Sequence, residues 1–125
     1  MNNTWLVVGV GGALGAIARH AMNVLIHRVV ATRFPIGIFI VNVAGSFAIG
    51  LLGGLLVSSR LSWGHGARTF AIVGVLGGFT TFSSFSFDTL ALAREGLTAY
   101  VVWNVLGQVV LSLIAVWAGF ALGRS

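Results

Sequence analysis

Long apolar stretches separated by short polar connectors make up almost the whole chain. About 20 consecutive apolar residues are needed for a helix to cross the hydrocarbon core of a bilayer. Four stretches meet this requirement, at residues 5–26, 36–57, 69–94 and 97–122. The connectors are too short to hold a soluble domain, and the sequence shows no internal repeat. The pattern predicts a single all-α transmembrane domain that occupies residues 1–125.

The composition agrees with a lipid environment. Of the 125 residues, 58% are hydrophobic and 7% are charged, whereas about 25% are charged in an average soluble domain. The absence of cysteine from the sequence excludes disulfides and thiolate metal sites. The net charge of +5 comes from seven arginines, which stand singly between apolar runs. This distribution is typical of anchoring to lipid headgroups rather than of a nucleic-acid-binding face.

The arginines are divided evenly between the two ends of the predicted bundle. Four spans place both termini on one side of the membrane. That side holds Arg60, Arg68 and Arg124, and the opposite side holds Arg28, Arg33 and Arg94. Orientation normally follows an excess of basic residues in cytoplasmic loops. The even division favours dual topology, in which copies insert in both orientations and pair antiparallel; a fixed orientation set by another feature is the alternative.

Small residues spaced four apart occur in all four spans. The pairs are Gly11 and Gly15, Gly50 and Gly54, Gly74 and Gly78, and Gly119 and Gly123. Such pairs let helix backbones approach closely in lipid, where hydrophobicity provides no attraction between helices. Together they predict a compact helical bundle.

The third span contains a stretch that disfavours a continuous helix. Residues 74–81 (GVLGGFTT) combine three glycines with two threonines, and each glycine costs about 1 kcal/mol relative to alanine within a helix. We therefore predict that this helix is broken. Irregular backbone at membrane depth is tolerated where it lines a cavity or binds something, and unwound carbonyls suit an alkali cation. Two antiparallel copies would bring two such breaks together.

A run of phenylalanines and serines follows this stretch. Phe82 and Phe85 share one helix face, beside a stripe formed by Thr81, Ser84 and Asp88. Because the edge of an aromatic ring is electropositive, these edges and hydroxyl donors could solvate a small anion. Packing in the core or against lipid is the alternative for the phenylalanines.

Polar side chains also recur within the second and fourth spans. Asn42 and Ser46 are one turn apart, and Asn104, Gln108 and Ser112 are spaced by four residues. Such residues are costly in lipid unless they face the bundle or water. Their spacing fits helix–helix hydrogen bonding and pore lining equally well.

The sequence offers little for catalysis. Its two acids, Asp88 and Glu95, lie near the end of the third span, and the histidines at 20, 27 and 65 have no metal-ligand spacing. We therefore expect that the protein is not an enzyme.

Three motifs, in order and at these spacings, resemble those of the small fluoride channels called Fluc or CrcB. They are residues 11–19 (GGALGAIAR), residues 35–47, which include PIG and VNVAGSF, and residues 77–86 (GGFTTFSSFS). The third is the most specific, and the resemblance covers essentially the whole chain. The chain departs from the family's common residues at His20, Ile38, Asp88 and Asn104.

The resemblance implies an antiparallel, dual-topology homodimer in the inner (plasma) membrane, with two pores that export toxic fluoride passively. It also implies a central structural Na⁺, not transported, held by the backbone carbonyls of Gly77 and Thr80 from both subunits. The implied pore residues are Asn42, Phe82, Phe85, Ser83, Ser84 and Ser112. Arg19 would lie near the vestibule.

Two other functions fit parts of the same pattern. A small multidrug exporter is also a four-helix, dual-topology protein, but proton-coupled export requires a carboxylate in the first span, and residues 5–26 contain none. A non-conducting assembly subunit fits the helix count and the glycines. The predicted break and the serine–phenylalanine run argue against it.

Overall fold

A computed structural model describes residues 3–125, and this part of the chain contains helices and no strand. Four helical stretches are long and apolar enough to cross a membrane: Thr4–Val29, Ile36–Val57, His65–Arg94 and Thr98–Arg124. This confirms the expected all-helical class and the number of helices able to span a membrane.

The first two helices are joined by a short connector. Helix α1 (Thr4–Val29) ends three residues beyond the predicted limit, and α2 (Ile36–Val57) begins directly after Pro35. The backbone N–H of Gly37 donates to Nε2 of His27 at 3.3 Å. This bond ties the last turn of α1 to the first turn of α2, so the histidine has a structural partner.

The third span is composite. It comprises α3 (His65–Arg68), a π-helix (Thr69–Leu76), α4 (Gly77–Phe79) and α5 (Phe82–Arg94). Between α4 and α5, Thr80 (φ −84°, ψ 156°) and Thr81 (φ −155°, ψ 121°) are extended. We call these two residues the Thr80–Thr81 interruption. The π-helical winding was not anticipated from the sequence.

Helix α6 (Thr98–Arg124) follows α5 after a tight turn. Gly96 lies in this turn at φ 75°, in the left-handed region that favours glycine. Next to it, Glu95 forms an exposed ion pair of 2.9 Å with Arg33. An exposed pair of this kind contributes about 1 kcal/mol or less.

The glycine pairs predicted from the sequence lie at contacts between helices. A Cβ atom on Gly119 would collide with the carbonyl oxygen of Phe47, and one on Gly54 with that of Phe120. These glycines therefore bring α2 and α6 into backbone contact. Gly11 packs in the same way against Gly74, which joins α1 to the third span.

The bundle buries polar side chains and exposes large apolar ones. Asn104 is fully buried and Gln108 is 4% exposed, whereas Trp103 and Trp117 are 68% and 79% exposed. This distribution is unfavourable in water, because moving large apolar side chains out of water lowers the free energy. Lipid favours it. The exposed apolar surface is therefore the surface that faces the membrane or another copy of the chain.

Candidate functional site

Asn42 holds the Thr80–Thr81 interruption open from the neighbouring helix α2. Its Oδ1 accepts the backbone N–H of Thr81 at 2.9 Å, and its Nδ2 donates to the backbone carbonyl of Thr81 at 3.1 Å. One side-chain amide thus satisfies both backbone groups of an extended residue. Unsatisfied, these groups would be costly at this depth.

Three other side chains complete the support of the interruption. Thr80 Oγ1 donates to the carbonyl of Leu76 at 3.0 Å. Thr81 Oγ1 accepts the backbone N–H of Ser84 at 3.1 Å, which makes Thr81 the N-cap of α5. Arg19 Nε, from α1, donates to the carbonyl of Gly78 at 3.1 Å.

These bonds release two carbonyl oxygens from helical pairing. In a regular helix, the carbonyl of Gly77 would accept from Thr81 N–H, and that of Thr80 would accept from Ser84 N–H. Here both donors are diverted to side-chain oxygens. The residues predicted to ligate a cation are therefore the ones whose usual backbone donors are engaged elsewhere.

A cavity of about 450 Å³ lies where α2, the interruption and α6 meet. Its polar lining consists of Asn42, Ser46, Thr80, Thr81, Gln108 and Ser112, and its aromatic lining consists of Phe82 and Phe85. The cavity therefore combines hydroxyl and amide groups with aromatic rings. It contains no ionisable side chain.

The two phenylalanines differ in exposure. Their ring centroids are 5.3 Å apart and the rings are tilted by 50°. Phe85 is 8% exposed, whereas Phe82 is 78% exposed. The bundle therefore fixes one ring and leaves the other on its surface. The Phe82 ring needs a further surface if it is to form part of an enclosed path.

The structure gathers most of the predicted site residues in one place. Asn42, Gly77, Thr80, Phe82, Phe85 and Ser112 all line the cavity. Ser83, Ser84 and Arg19 lie outside its lining. Ser83 Oγ is 3.2 Å from Thr81 Oγ1, and Arg19 binds Gly78 as described above.

A chain of hydrogen bonds leads from the cavity to α5. Gln108 Oε1 accepts from Asn42 Nδ2 at 2.8 Å, Gln108 Nε2 donates to Asn104 Oδ1 at 2.9 Å, and Asn104 Nδ2 donates to Thr89 Oγ1 at 3.0 Å. The four-residue spacing of Asn104 and Gln108 had marked a polar stripe. It did not show that Gln108 joins Asn42.

Within residues 3–125, no group of three histidine, cysteine, aspartate or glutamate residues could hold a metal ion. The possible cation ligands at the interruption are oxygens of the backbone and of the Asn42, Thr80 and Thr81 side chains. Oxygen ligands suit a hard cation such as Na⁺ better than a transition metal.

The fold and the cavity define a multi-pass membrane protein in which buried polar side chains lie beside the Thr80–Thr81 interruption. A family model described as "CrcB-like protein, Camphor Resistance (CrcB)" matches residues 6–120. The chain belongs to this family, whose curated relatives are named as ion channels and not as enzymes.

The relatives match over almost their full length. The chain is 45% identical over 123 residues to "Fluoride-specific ion channel FluC 2" of Nitrobacter hamburgensis, with 96% of each chain covered. It is 47% identical over 124 residues to "Fluoride-specific ion channel FluC" of Paracoccus denitrificans, covering 99% of this chain and 97% of the relative. With the FluC of Opitutus terrae it shares 46% identity over 116 residues, covering 92% and 88%.

Proposed function

We propose that this protein is a fluoride-selective channel that exports fluoride passively from the cell across the inner membrane. The observation that carries the proposal is the cavity beside the interruption. It brings Phe82 and Phe85 together with the hydroxyl and amide groups of α2 and α6. The names of the relatives, all fluoride-specific channels, support the same function.

The lining suits a small, strongly hydrated anion. Moving a bare ion into an apolar medium costs tens of kcal/mol before compensation, so several donors must replace its water at once. Ring edges and hydroxyl and amide donors can do this without a fixed positive charge. Fluoride is the smallest halide and the strongest hydrogen-bond acceptor among them, so closely spaced donors favour it over chloride.

The working unit in this proposal is an antiparallel, dual-topology homodimer with two pores. The even division of arginines between the two ends supports mixed insertion. The 78% exposure of Phe82, at the edge of the cavity, supports completion of each path by a second copy.

A structural Na⁺ at the dimer centre is the second part of the proposal. The carbonyl oxygens of Gly77 and Thr80 fit this role because their helical donors are diverted to Asn42 and Thr81. A bound Na⁺ would supply electrostatic attraction between the interruptions of the two subunits. It would not be transported.

The remaining predicted residues take supporting positions along the path. Ser83 and Ser84 follow the interruption on α5, outside the lining of the cavity, and in this proposal they would continue the polar path along that helix. Ser112 extends it from α6, where it lines the cavity. Arg19 would lie near the vestibule, where its positive charge would attract the anion.

Purified protein in liposomes tests the function. Liposomes loaded with fluoride should lose it rapidly on addition of the protein, and liposomes loaded with chloride should not. Equal efflux of both halides would overturn selectivity. Absence of any fluoride efflux from correctly assembled protein would instead favour a non-conducting subunit.

A further inference from the structure

A second concave surface, separate from the cavity at the interruption, lies between the start of α2 and the first half of α6. This groove has a volume of about 440 Å³, and its wall includes Phe34, Phe39, Trp103, Leu106 and Val110. The indole N–H of Trp103 is the only side-chain polar group in its lining. The groove therefore offers nothing to a hydrated anion and suits an apolar occupant.

Aromatic packing gives the groove a fixed wall. A Cβ atom on Gly107 would lie 2.8 Å from the ring of Phe39, so the glycine lets this ring rest against α6. The ring of Phe34 is 5.7 Å from that of Phe39 and 5.3 Å from that of Tyr100, centroid to centroid, and it meets Tyr100 edge-on at 77°. Such tilted and edge-on pairs are the favoured arrangements of aromatic rings. The groove is thus built by packed rings.

The groove opens on the side of α6 that faces away from the cavity at the interruption. Leu106 and Val110 are each two residues from Gln108, which lines that cavity. Because successive residues of an α-helix are about 100° apart, both lie on nearly the opposite side of α6. They are 58% and 50% exposed. A second copy that completes the path beside Phe82 would cover the cavity side, which leaves the groove facing lipid.

One end of the groove lies near the level of the lipid headgroups. Trp103 is 68% exposed close to the start of α6, and exposed tryptophans are enriched where a membrane meets water. At the same end, Phe34 directly follows Arg33, whose Nη2 is 2.9 Å from Oε1 of Glu95 in the turn before α6. Arg33 therefore stands at the mouth of the groove.

This end of the bundle is basic. Residues 28–35 and 94–97 carry Arg28, Arg33 and Arg94 against the single acid Glu95, a net charge of +2. Within residues 3–125, Arg28 and Arg94 form no ion pair and no side-chain hydrogen bond. The side chain of Arg33 is 72% exposed, and its bond to Glu95 engages one of five N–H donors. Arginines bind phosphate through paired N–H groups, and basic residues beside a span attract anionic lipids.

We propose that the groove binds one acyl chain of an anionic phospholipid and that Arg33 binds the phosphate of the same molecule. The apolar wall matches the chain, and the basic mouth matches the headgroup. This combination distinguishes the groove from the rest of the exposed apolar surface. The bound lipid would join the connector before α2 to α6. The inference is independent of fluoride conduction and goes beyond it.

Lipid-dependent stability tests the proposal. A ligand that binds the folded state raises its melting temperature with concentration. For the purified full chain in neutral detergent, phosphatidylglycerol should raise the melting temperature by about 5 °C at ten times its dissociation constant. Phosphatidylcholine with the same acyl chains should give a smaller shift, and inorganic phosphate alone should give none. Equal shifts with the two lipids, or a shift with phosphate alone, would overturn the proposal.

Two substitutions separate phosphate binding from the structural role of the ion pair. Arg33→Gln and Glu95→Gln delete the same bond between the two side chains. Arg33→Gln should reduce the response to phosphatidylglycerol to the level of phosphatidylcholine. Glu95→Gln leaves every donor of Arg33 available, so its response should be at least that of the wild type. Equal responses of the two variants would show that Arg33 does not bind the phosphate.

A second pair of variants tests the groove itself. Leu106→Trp fills the groove, whereas Leu90→Trp places the same side chain at a position of similar exposure, 54%, outside it. Leu106→Trp should lose most of the shift with phosphatidylglycerol, and Leu90→Trp should keep it. An undiminished shift in Leu106→Trp would refute acyl-chain binding. Dissociation of the assembly into single chains in Leu106→Trp, and not in Leu90→Trp, would show that a second copy occupies the groove instead.

Discussion

Arg19 Nε, on the first helix, donates a hydrogen bond of 3.1 Å to the carbonyl oxygen of Gly78, two residues before the Thr80–Thr81 interruption. In a continuous helix this oxygen would accept from the N–H of Phe82. An arginine within a membrane span is costly unless it meets such a partner. Arg19 therefore stabilises the interruption, and the interruption in turn gives the arginine an acceptor.

We expect Arg19→Met to destabilise the protein. It removes a hydrogen bond from a charged donor, a class of bond that contributes about 1.5–3 kcal/mol, so we expect a loss of about 2 kcal/mol in the free energy of unfolding. Arg19→Lys keeps the charge and should lose less. Thermal unfolding in detergent measures both. A methionine variant as stable as the wild type would contradict the role of this bond.

Phe82→Ile and Phe85→Ile should each suppress fluoride efflux from liposomes. Isoleucine keeps the apolar volume and removes the electropositive ring edge. Phe87→Ile is the matched control, because Phe87 lies on the same helix, is 70% exposed and does not line the cavity. Wild-type-like efflux in both cavity variants would remove the phenylalanines from the mechanism.

Gly119→Val should prevent close packing of α2 and α6. Its side chain would collide with the carbonyl oxygen of Phe47, a backbone atom that cannot move aside without shifting the helix. Overpacking of this kind costs about 1–3 kcal/mol or more. Gly9→Val is the control, because no atom beyond its own stretch of helix lies within 4 Å of a Cβ built there. Similar melting temperatures for the two variants would show that the contact contributes little.

The sequence was sufficient to predict features that depend on local composition. The length of the apolar runs predicts four spans, and the structure has four helices long and apolar enough to cross a membrane. The low helix propensity of three glycines and two threonines singled out residues 74–81, and within this stretch Thr80 and Thr81 are extended. The glycine spacing predicted compact packing, which the contacts of Gly54 and Gly119 show in detail.

Contacts between distant residues could not be obtained in the same way. Asn42 and Thr81 are 39 residues apart, and Asn42 and Gln108 are 66 apart. Whether such residues meet depends on how the helices rotate and tilt against each other, which periodicity within one helix does not determine. The four-residue spacing of Asn104 and Gln108 placed them on one face of their helix. It did not show which residues of other helices this face contacts.

Removal of Na⁺ should lower the stability of the proposed dimer. The carbonyls of Gly77 and Thr80 are the expected ligands, so replacing Na⁺ with a large organic cation should lower the melting temperature, and restoring Na⁺ should reverse the loss. Thr80→Val should retain this dependence on Na⁺, because the Thr80 hydroxyl already donates to Leu76 and only its backbone carbonyl is needed. A melting temperature independent of Na⁺ would refute the cation site.

Charge substitutions can test whether both orientations are required. Arg28→Ala combined with Ala67→Lys would place four basic residues on the side of the termini and two on the other, and Arg68→Ala combined with Ala31→Lys would reverse this. All four positions are exposed outside or at the ends of the spans. Basic residues bias the loop that carries them toward the cytoplasm, so each double variant should insert mainly in one orientation.

An antiparallel dimer then predicts a specific genetic result. Each biased variant expressed alone should give little fluoride resistance, because it lacks partners of the opposite orientation. Expression of the two together should restore resistance, because each supplies the orientation that the other lacks. If either variant alone protects cells as well as the wild type does, the two copies need not be inverted. The paths beside Phe82 would then have to be completed by a parallel partner or within one chain.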